Sequence, residues 1–297
     1  MATCYRHPSR ETGVSCSSCG RPICPDCMTP TQVGMRCPEC ASQRTRVVRM
    51  RDMAGVPRVT YALIAVNVIV FLAEGRVTVS SGGGVGTIYS KGALLGSLPG
   101  LSIGVAHGQW WRLVTSGFLH ENLIHIGFNM WVLYVLGQML EPALGSLKFA
   151  VIYGVSLLTG SLGALLVSPH VFTVGASGAV FGIMGAAAVE MRARQIPVMQ
   201  SGVGTLIVLN LVISFAVPGI SWGGHVGGLI GGALAALVLQ LGDRRRSQAL
   251  ALAGCAAIAA AAVAGSIATA HSSESEQLTG GQGAAGSVNA PRGGRVG

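Results

Sequence analysis

Between residues 59 and 269 the chain is dominated by apolar stretches, each close to the roughly twenty residues that a helix needs to cross the hydrocarbon core of a bilayer. They run over 59–74, 118–140, 146–167, 177–193, 201–217, 222–241 and 248–269. In lipid every backbone N–H and C=O must find its partner within the protein, so such stretches in series predict helices. The fold class expected is an all-α polytopic membrane protein with seven spans. Only 10% of the residues are charged, against about a quarter in an ordinary globular domain. Forty-four glycines on that apolar background suit closely packed membrane helices. Residues 271–297 are rich in Gly and Ser without apolar periodicity, and a disordered tail is expected there.

The net charge of +9 does not point to nucleic acid. The basic residues flank the spans and are not interleaved with aromatics on a polar surface, so no nucleic-acid partner is expected. A basic linker over 43–58 carries Arg44, Arg46, Arg49, Arg51 and Arg58. On the same side of the membrane fall Lys148, Arg192 with Arg194, and Arg244-Arg245-Arg246. The opposite connections hold Arg76, Lys91 and Arg112, spread along one long loop. The positive-inside rule then places the N-terminus in the cytoplasm of a multi-pass protein of the plasma membrane. The N-terminal segment has neither the apolar core nor the cleavage site of a secretory signal.

Polar side chains inside lipid-spanning segments are costly, which makes them functional suspects. Ser177 opens the fourth span, His125 and Asn129 lie in the second, and His225 lies in the sixth. All three spans run from outside to inside, so the four residues share a depth near the extracytoplasmic face. A serine needs a base to become a nucleophile, and His225 is the candidate. His125 and Asn129, four apart, share one helix face. With the Ser177 N–H they can donate hydrogen bonds to a developing oxyanion. Glu74, Glu121, Glu141 and Glu190 all lie near span ends, so no carboxylate is placed to orient His225. A Ser/His dyad is expected, with Phe181, one turn after Ser177, stacking on the imidazole. His120 reads as interfacial. The blander account, glycine-flanked Ser177 as packing and His225 as a single interhelical bond, explains each residue alone but not their shared depth.

Residues 1–42 hold seven of the eight cysteines, Cys255 being the exception. Cys4-x2-His7, Cys16-x2-Cys19, Cys24-x2-Cys27 and Cys37-x2-Cys40 supply eight ligands, enough for two tetrahedral zinc ions. In the cytosol paired thiols hold metal more often than disulfides. Adjacent pairs or alternate pairs could share an ion. So short a segment with few apolar side chains needs the metal to fold. Closed sites of this kind are structural, and the module is expected to dock a cytosolic partner or to regulate the membrane part.

From 59 to 241 the chain resembles the rhomboid intramembrane serine proteases. The motifs that carry the resemblance are Trp111-Arg112, Phe118-Leu119-His120, His125-Ile126-Gly127-Phe128-Asn129-Met130, Gly175-Ala176-Ser177-Gly178 and Gly224-His225-Val226-Gly227-Gly228, in that order. The resemblance implies a six-helix core with Ser177 as nucleophile, His225 as general base, and His125 and Asn129 as oxyanion donors. It implies a loop over 76–117 partly embedded in the outer leaflet, a lateral gate in the fifth span, and 248–269 as one appended transmembrane helix. The implied activity is an endopeptidase that needs no cofactor for catalysis. Its implied substrates are single-span membrane proteins with helix-breaking residues near the outer end. One departure is Phe181, where the family often has tyrosine. The N-terminal segment resembles B-box-type zinc fingers, which implies interleaved ligation: Cys4, His7, Cys24 and Cys27 on one zinc, Cys16, Cys19, Cys37 and Cys40 on the other. A contrasting hypothesis is a catalytically silent adaptor that binds transmembrane helices while the zinc module recruits a partner. The intact Ser177 and His225 speak against it.

Overall fold

The computed structural model describes residues 2–31, 34–42, 55–75 and 86–285. Arg44, Arg46, Arg49 and Arg51 of the basic linker, Arg76, and the tail beyond 285 lie outside the described residues. The chain divides into two compact units, Met1–Met53 and Ala54–Gly297.

In the first unit β1 (Ala2–Thr3) pairs antiparallel with β2 (Glu11–Thr12), and β3 (Thr29–Thr31) with β4 (Gly34–Arg36). A short helix α1 (Pro38–Ser42) follows. Such two-stranded ribbons are marginal on their own. Ile23 is the one buried apolar side chain in this cluster besides the cysteines, with Tyr5 and Met28 packed partly against it. Little apolar surface is therefore available to stabilise the unit.

The second unit is helical. Its elements are α2 (Arg58–Glu74), α3 (Thr87–Gly92), α4 (Arg112–Thr115), α5 (Leu123–Leu144), α6 (Ser146–Val167), α7 (Ser177–Ala193), α8 (Val203–Ala216), α9 (Trp222–Arg244) and α10 (Gln248–Ala285). Among the described residues four helices are long and apolar enough to cross a membrane: α5, α6, α9 and the Gln248–Glu276 part of α10. With 17 residues each, α2 and α7 reach about 26 Å at 1.5 Å per residue. Apolar side chains such as Ile69, Ile124, Trp131, Leu166 and Phe215 are exposed on the outer surface, which water would penalise and lipid does not.

Two boundaries differ most from the sequence reading. The second span was expected to start at 118, but α5 begins at Leu123. Asn122 sits in extended backbone and its Oδ1 accepts the His125 N–H at 2.8 Å, an N-cap that stops the helix there. The last helix was expected to end at 269 with disorder from 271, yet α10 continues to Ala285. Residues 271–276 contain neither Gly nor Pro, and hydroxyls of Ser272, Ser273 and Ser275 donate to carbonyls three residues back. Glu274 also meets His107 Nε2 at 2.9 Å, which ties this polar end to the turn Val105–His107.

Helices α6, α7 and α9 form the centre. A Cβ on Gly228 would run into the carbonyl of Gly178, and one on Gly232 into the carbonyl of Gly182. Glycine at these points lets α9 lie backbone to backbone on α7, the close approach typical of membrane helices. Gly224 faces α6, where its Cβ would stand 3.5 Å from the Gly160 carbonyl.

The start of α2 is capped from another helix. The Glu141 carboxylate of α5, 1% exposed, accepts the Val59 N–H at 2.9 Å, the Thr60 N–H at 2.8 Å and the Thr60 hydroxyl at 2.7 Å. The Ser146 hydroxyl adds a fourth bond at 2.6 Å. Helix N-termini leave N–H groups without internal partners and attract negative charge, so one buried carboxylate joins α2, α5 and α6.

Candidate active site and metal-ligand clusters

Three N-terminal helix ends converge in the bundle. Ser177 is the first residue of α7, His225 lies in the first turn of α9, and His125 lies in the first turn of α5. His225 Nε2 stands 2.8 Å from Ser177 Oγ. The Phe181 ring stacks on the imidazole with centroids 4.2 Å apart and planes inclined by 14°. Phe181 is itself buried in the apolar core of the bundle, so the ring that covers the imidazole is held in close-packed surroundings.

Gly175 shapes the approach to Ser177. Its φ is +127°, a region closed to ordinary side chains, and its N–H donates to the Ser116 carbonyl at 2.9 Å. A Cβ there would stand 2.7 Å from His125 Nε2 and 3.5 Å from Ser177 Oγ. The space that glycine leaves open thus lies between the His125 ring and the Ser177 hydroxyl. Asn129 is buried, and its Nδ2 donates to the His125 carbonyl at 3.1 Å. One amide hydrogen is used within the helix and the second remains for another acceptor. Ser177, His225 and the His125 ring therefore gather around one point, and Asn129 lies one turn further along the helix of His125.

Two side chains at this point escaped the sequence reading. His120, expected at the interface, is fully buried. Its ring meets the His125 ring edge-on at 5.1 Å, and its Nε2 accepts from the Ala176 N–H at 3.5 Å. It backs the loop that carries Ser177. The second is Ser214 of α8, whose Oγ lies 2.6 Å from His225 Nδ1. A serine in an apolar helix carries no motif, and only the rotation of α8 against α9 brings the two together.

The loop before α5 is braced by its own polar groups. Arg112 is buried; its Nε donates to Gln109 Oε1 at 2.7 Å and a terminal nitrogen to the Ala93 carbonyl at 2.6 Å. Trp111 Nε1 donates to the Lys91 carbonyl at 3.1 Å. Leu94 and Thr173 exchange two backbone bonds of 2.9 Å, which fastens this loop to the segment that leads into Ser177.

In the N-terminal unit the ligand atoms of Cys4, His7, Cys24 and Cys27 lie within 4.8 Å of one another, as do those of Cys16, Cys19, Cys37 and Cys40. The ligand pairs are thus interleaved. His7 Nδ1 stands 3.3 Å from Cys24 Sγ and 3.4 Å from Cys27 Sγ, and Cys19 Sγ stands 3.8 Å from Cys37 Sγ. A tetrahedron with metal–sulfur bonds of about 2.3 Å has edges of about 3.8 Å between sulfurs, and slightly shorter edges to nitrogen. Backbone N–H groups of Ser18 and Cys37 point at Cys16 Sγ, and that of Cys40 points at Cys37 Sγ, as expected around metal-bound thiolates. Burial pushes the Cys27 thiol up to about 11, and the neighbouring Cys4 and Cys24 add to the shift. Thiols crowded in this way lose their protons together only when a cation balances them. Both clusters have the composition and spacing to hold a metal ion.

Comparison with known proteins bears on the second unit. Residues 107–241 match the model of the Rhomboid domain. The chain is 36% identical over 192 residues to the Rhomboid protease GluP of Bacillus subtilis (strain 168), across 63% of this chain and 36% of that protein. It is 33% identical over 154 residues to the Putative rhomboid protease YdcA of the same organism, across 50% of this chain and 77% of that protein. A third relative, RHOMBOID-like protein 6, mitochondrial, of Arabidopsis thaliana, is 32% identical over 143 residues, 46% of each chain. The chain thus spans about a third of the length of the first relative and about three quarters of the second. With the fold, the motif order and these similarities taken together, the chain belongs to the rhomboid family.

Proposed function

We propose that the protein is an intramembrane serine endopeptidase in which Ser177 is the nucleophile and His225 the general base. The observation that carries the reading is the 2.8 Å contact of Ser177 Oγ with His225 Nε2 under the stacked Phe181 ring. Ser177 Oγ attacks the scissile carbonyl carbon while His225 Nε2 takes its proton. The carbonyl oxygen, now negative, accepts hydrogen bonds from His125 Nε2–H, from the free hydrogen of Asn129 Nδ2 and from the Ser177 N–H. The last is one of the unpaired donors at a helix start, where the helix dipole also favours negative charge. Collapse of the tetrahedral intermediate breaks the C–N bond, and His225 hands its proton to the leaving amine. Water then enters, loses a proton to His225 and attacks the acyl ester, which restores Ser177.

The substrates are single-span membrane proteins cut near the outer end of their helix. A helical amide is shielded and hydrogen-bonded, so the segment cut must unwind and carry helix-breaking residues. The active site opens toward the extracytoplasmic side of the plasma membrane with the N-terminus in the cytoplasm; the basic ends at Lys148 and Arg244-Arg245-Arg246 support that orientation. The ligand clusters hold two zinc ions as structural centres, and zinc supplies folding energy to the module and no catalytic step. The module docks a cytosolic partner or tunes the protease.

A fluorophosphonate or isocoumarin probe tests the central reading. Labelling of the purified protein, lost in both Ser177→Ala and His225→Ala while each variant elutes as a folded species in detergent, is expected. Equal labelling of Ser177→Ala, or cleavage of a single-span substrate by His225→Ala at the original rate, overturns it.

A further inference from the structure

We infer that Ser214 is a positioning residue that holds His225 in the tautomer a general base requires, so that Ser177, His225 and Ser214 form one hydrogen-bonded chain. This inference rests on the Ser177/His225 reading. Ser214 Oγ lies 2.6 Å from the Asn210 carbonyl oxygen and 2.6 Å from His225 Nδ1. A carbonyl oxygen cannot donate, so the single hydroxyl hydrogen of Ser214 is committed to Asn210. The Ser214 oxygen can then only accept at its other contact, and Nδ1 must carry the hydrogen. A neutral imidazole with hydrogen on Nδ1 has its lone pair on Nε2, which is the atom 2.8 Å from Ser177 Oγ. Ser177 is therefore the donor to His225, as nucleophile activation demands.

The surroundings close off the alternatives. Ser214 is 3% exposed and His225 8%, so water does not compete freely for Nδ1. Asn210, also buried, uses its own Nδ2 on the Leu206 carbonyl at 2.7 Å. Among the described residues no carboxylate bonds to His225. Phe181 sets the plane of the ring from its face, whereas Ser214 sets its rotation and hydrogen position from the edge. The two restraints act in different directions. Since Ser214 belongs to α8, whose buried residues are Val203, Gly204, Asn210 and Ser214, seating of α8 and alignment of the base are one event.

Three measurements test the proposal. Ser214→Ala should lower kcat roughly tenfold to a hundredfold, the scale of a misaligned general base, with KM within about twofold because substrate contacts are untouched. Ser214→Thr keeps an oxygen with the same two partners and should restore kcat to within about threefold of the original. In the original protein, 15N-histidine spectra, with His225 assigned by its loss in His225→Gln, should show hydrogen on Nδ1 and a lone pair on Nε2. Unchanged kcat in Ser214→Ala, or hydrogen on Nε2 of His225, overturns the inference. The spectra use the original protein and so decide even where Ser214→Ala does not fold. If Ser177→Ala retained turnover, the nucleophile reading would fall separately, while the nitrogen spectra would still report on the Ser214 bond.

Discussion

The N-terminal module and the membrane bundle solve opposite packing problems. In the module, Ile23 and six cysteines form the buried cluster, and the ligand atoms converge at two points. In the bundle apolar side chains are abundant, but lipid outside is as apolar as the interior, so burying them drives little association. There the glycines of α7 and α9 bring backbones together, and a few buried polar groups fix the register. One such group is the Glu141 carboxylate at the start of α2. The lesson is that apolar content alone specifies neither unit. Ligand geometry selects the structure of one, and close backbone approach with buried hydrogen bonds selects that of the other.

Perturbations that hit only one unit break this comparison most sharply. Chelation should unfold the module completely, since its core is the ligand set, and metal analysis before chelation should find about two zinc ions per chain. Probe labelling at Ser177 should survive chelation, and its loss would show that the two units do not fold independently. Gly228→Val places a side chain where the Gly178 carbonyl lies, so α9 must shift and carry His225 away from Ser177. Turnover should fall at least a hundredfold, since small displacements at a reacting centre have costs of that size; substrate cleavage in detergent reads it. Glu141→Ala strips the partner from two backbone N–H groups and two hydroxyls. The expected loss is about 3 kcal/mol of stability, seen as a lower unfolding temperature with zinc content unchanged.

Smaller effects sharpen the picture within the bundle. With Asn129 as the proposed oxyanion donor, Asn129→Ala should lower kcat roughly tenfold or more, with KM little affected. An unchanged kcat would assign Asn129 to packing through its bond to the His125 carbonyl. His107→Ala removes the contact with Glu274. Both side chains are partly exposed, so the stability change should stay under about 1 kcal/mol.

Much of the molecule is legible from local pattern. The x2 pairs at Cys4, Cys16, Cys24 and Cys37 announce the ligand set because one turn of chain must bring two ligand atoms to one ion. Runs of apolar residues locate α6 and α7 to the residue. The parity of the spans predicts a shared depth for Ser177, His125, Asn129 and His225. The end of α10 is not legible in this way, because the glycine-rich composition after 277 suggests disorder from 271, while the serines at 272 and 273 bond along the helix.

Sequence thus dictates which groups exist, how far along each helix they stand and which thiols come in ligand pairs, because these depend on spacings of a few residues. It is silent on Ser214 at His225, on Glu141 at the start of α2 and on His120 beneath Ala176. Each of those contacts joins different elements and depends on how one is rotated and tilted against another. A side chain turned by half a helical turn would face lipid. That rotation is set by the whole packed bundle, where glycine contacts and buried hydrogen bonds must be satisfied together, and no short stretch of residues encodes it.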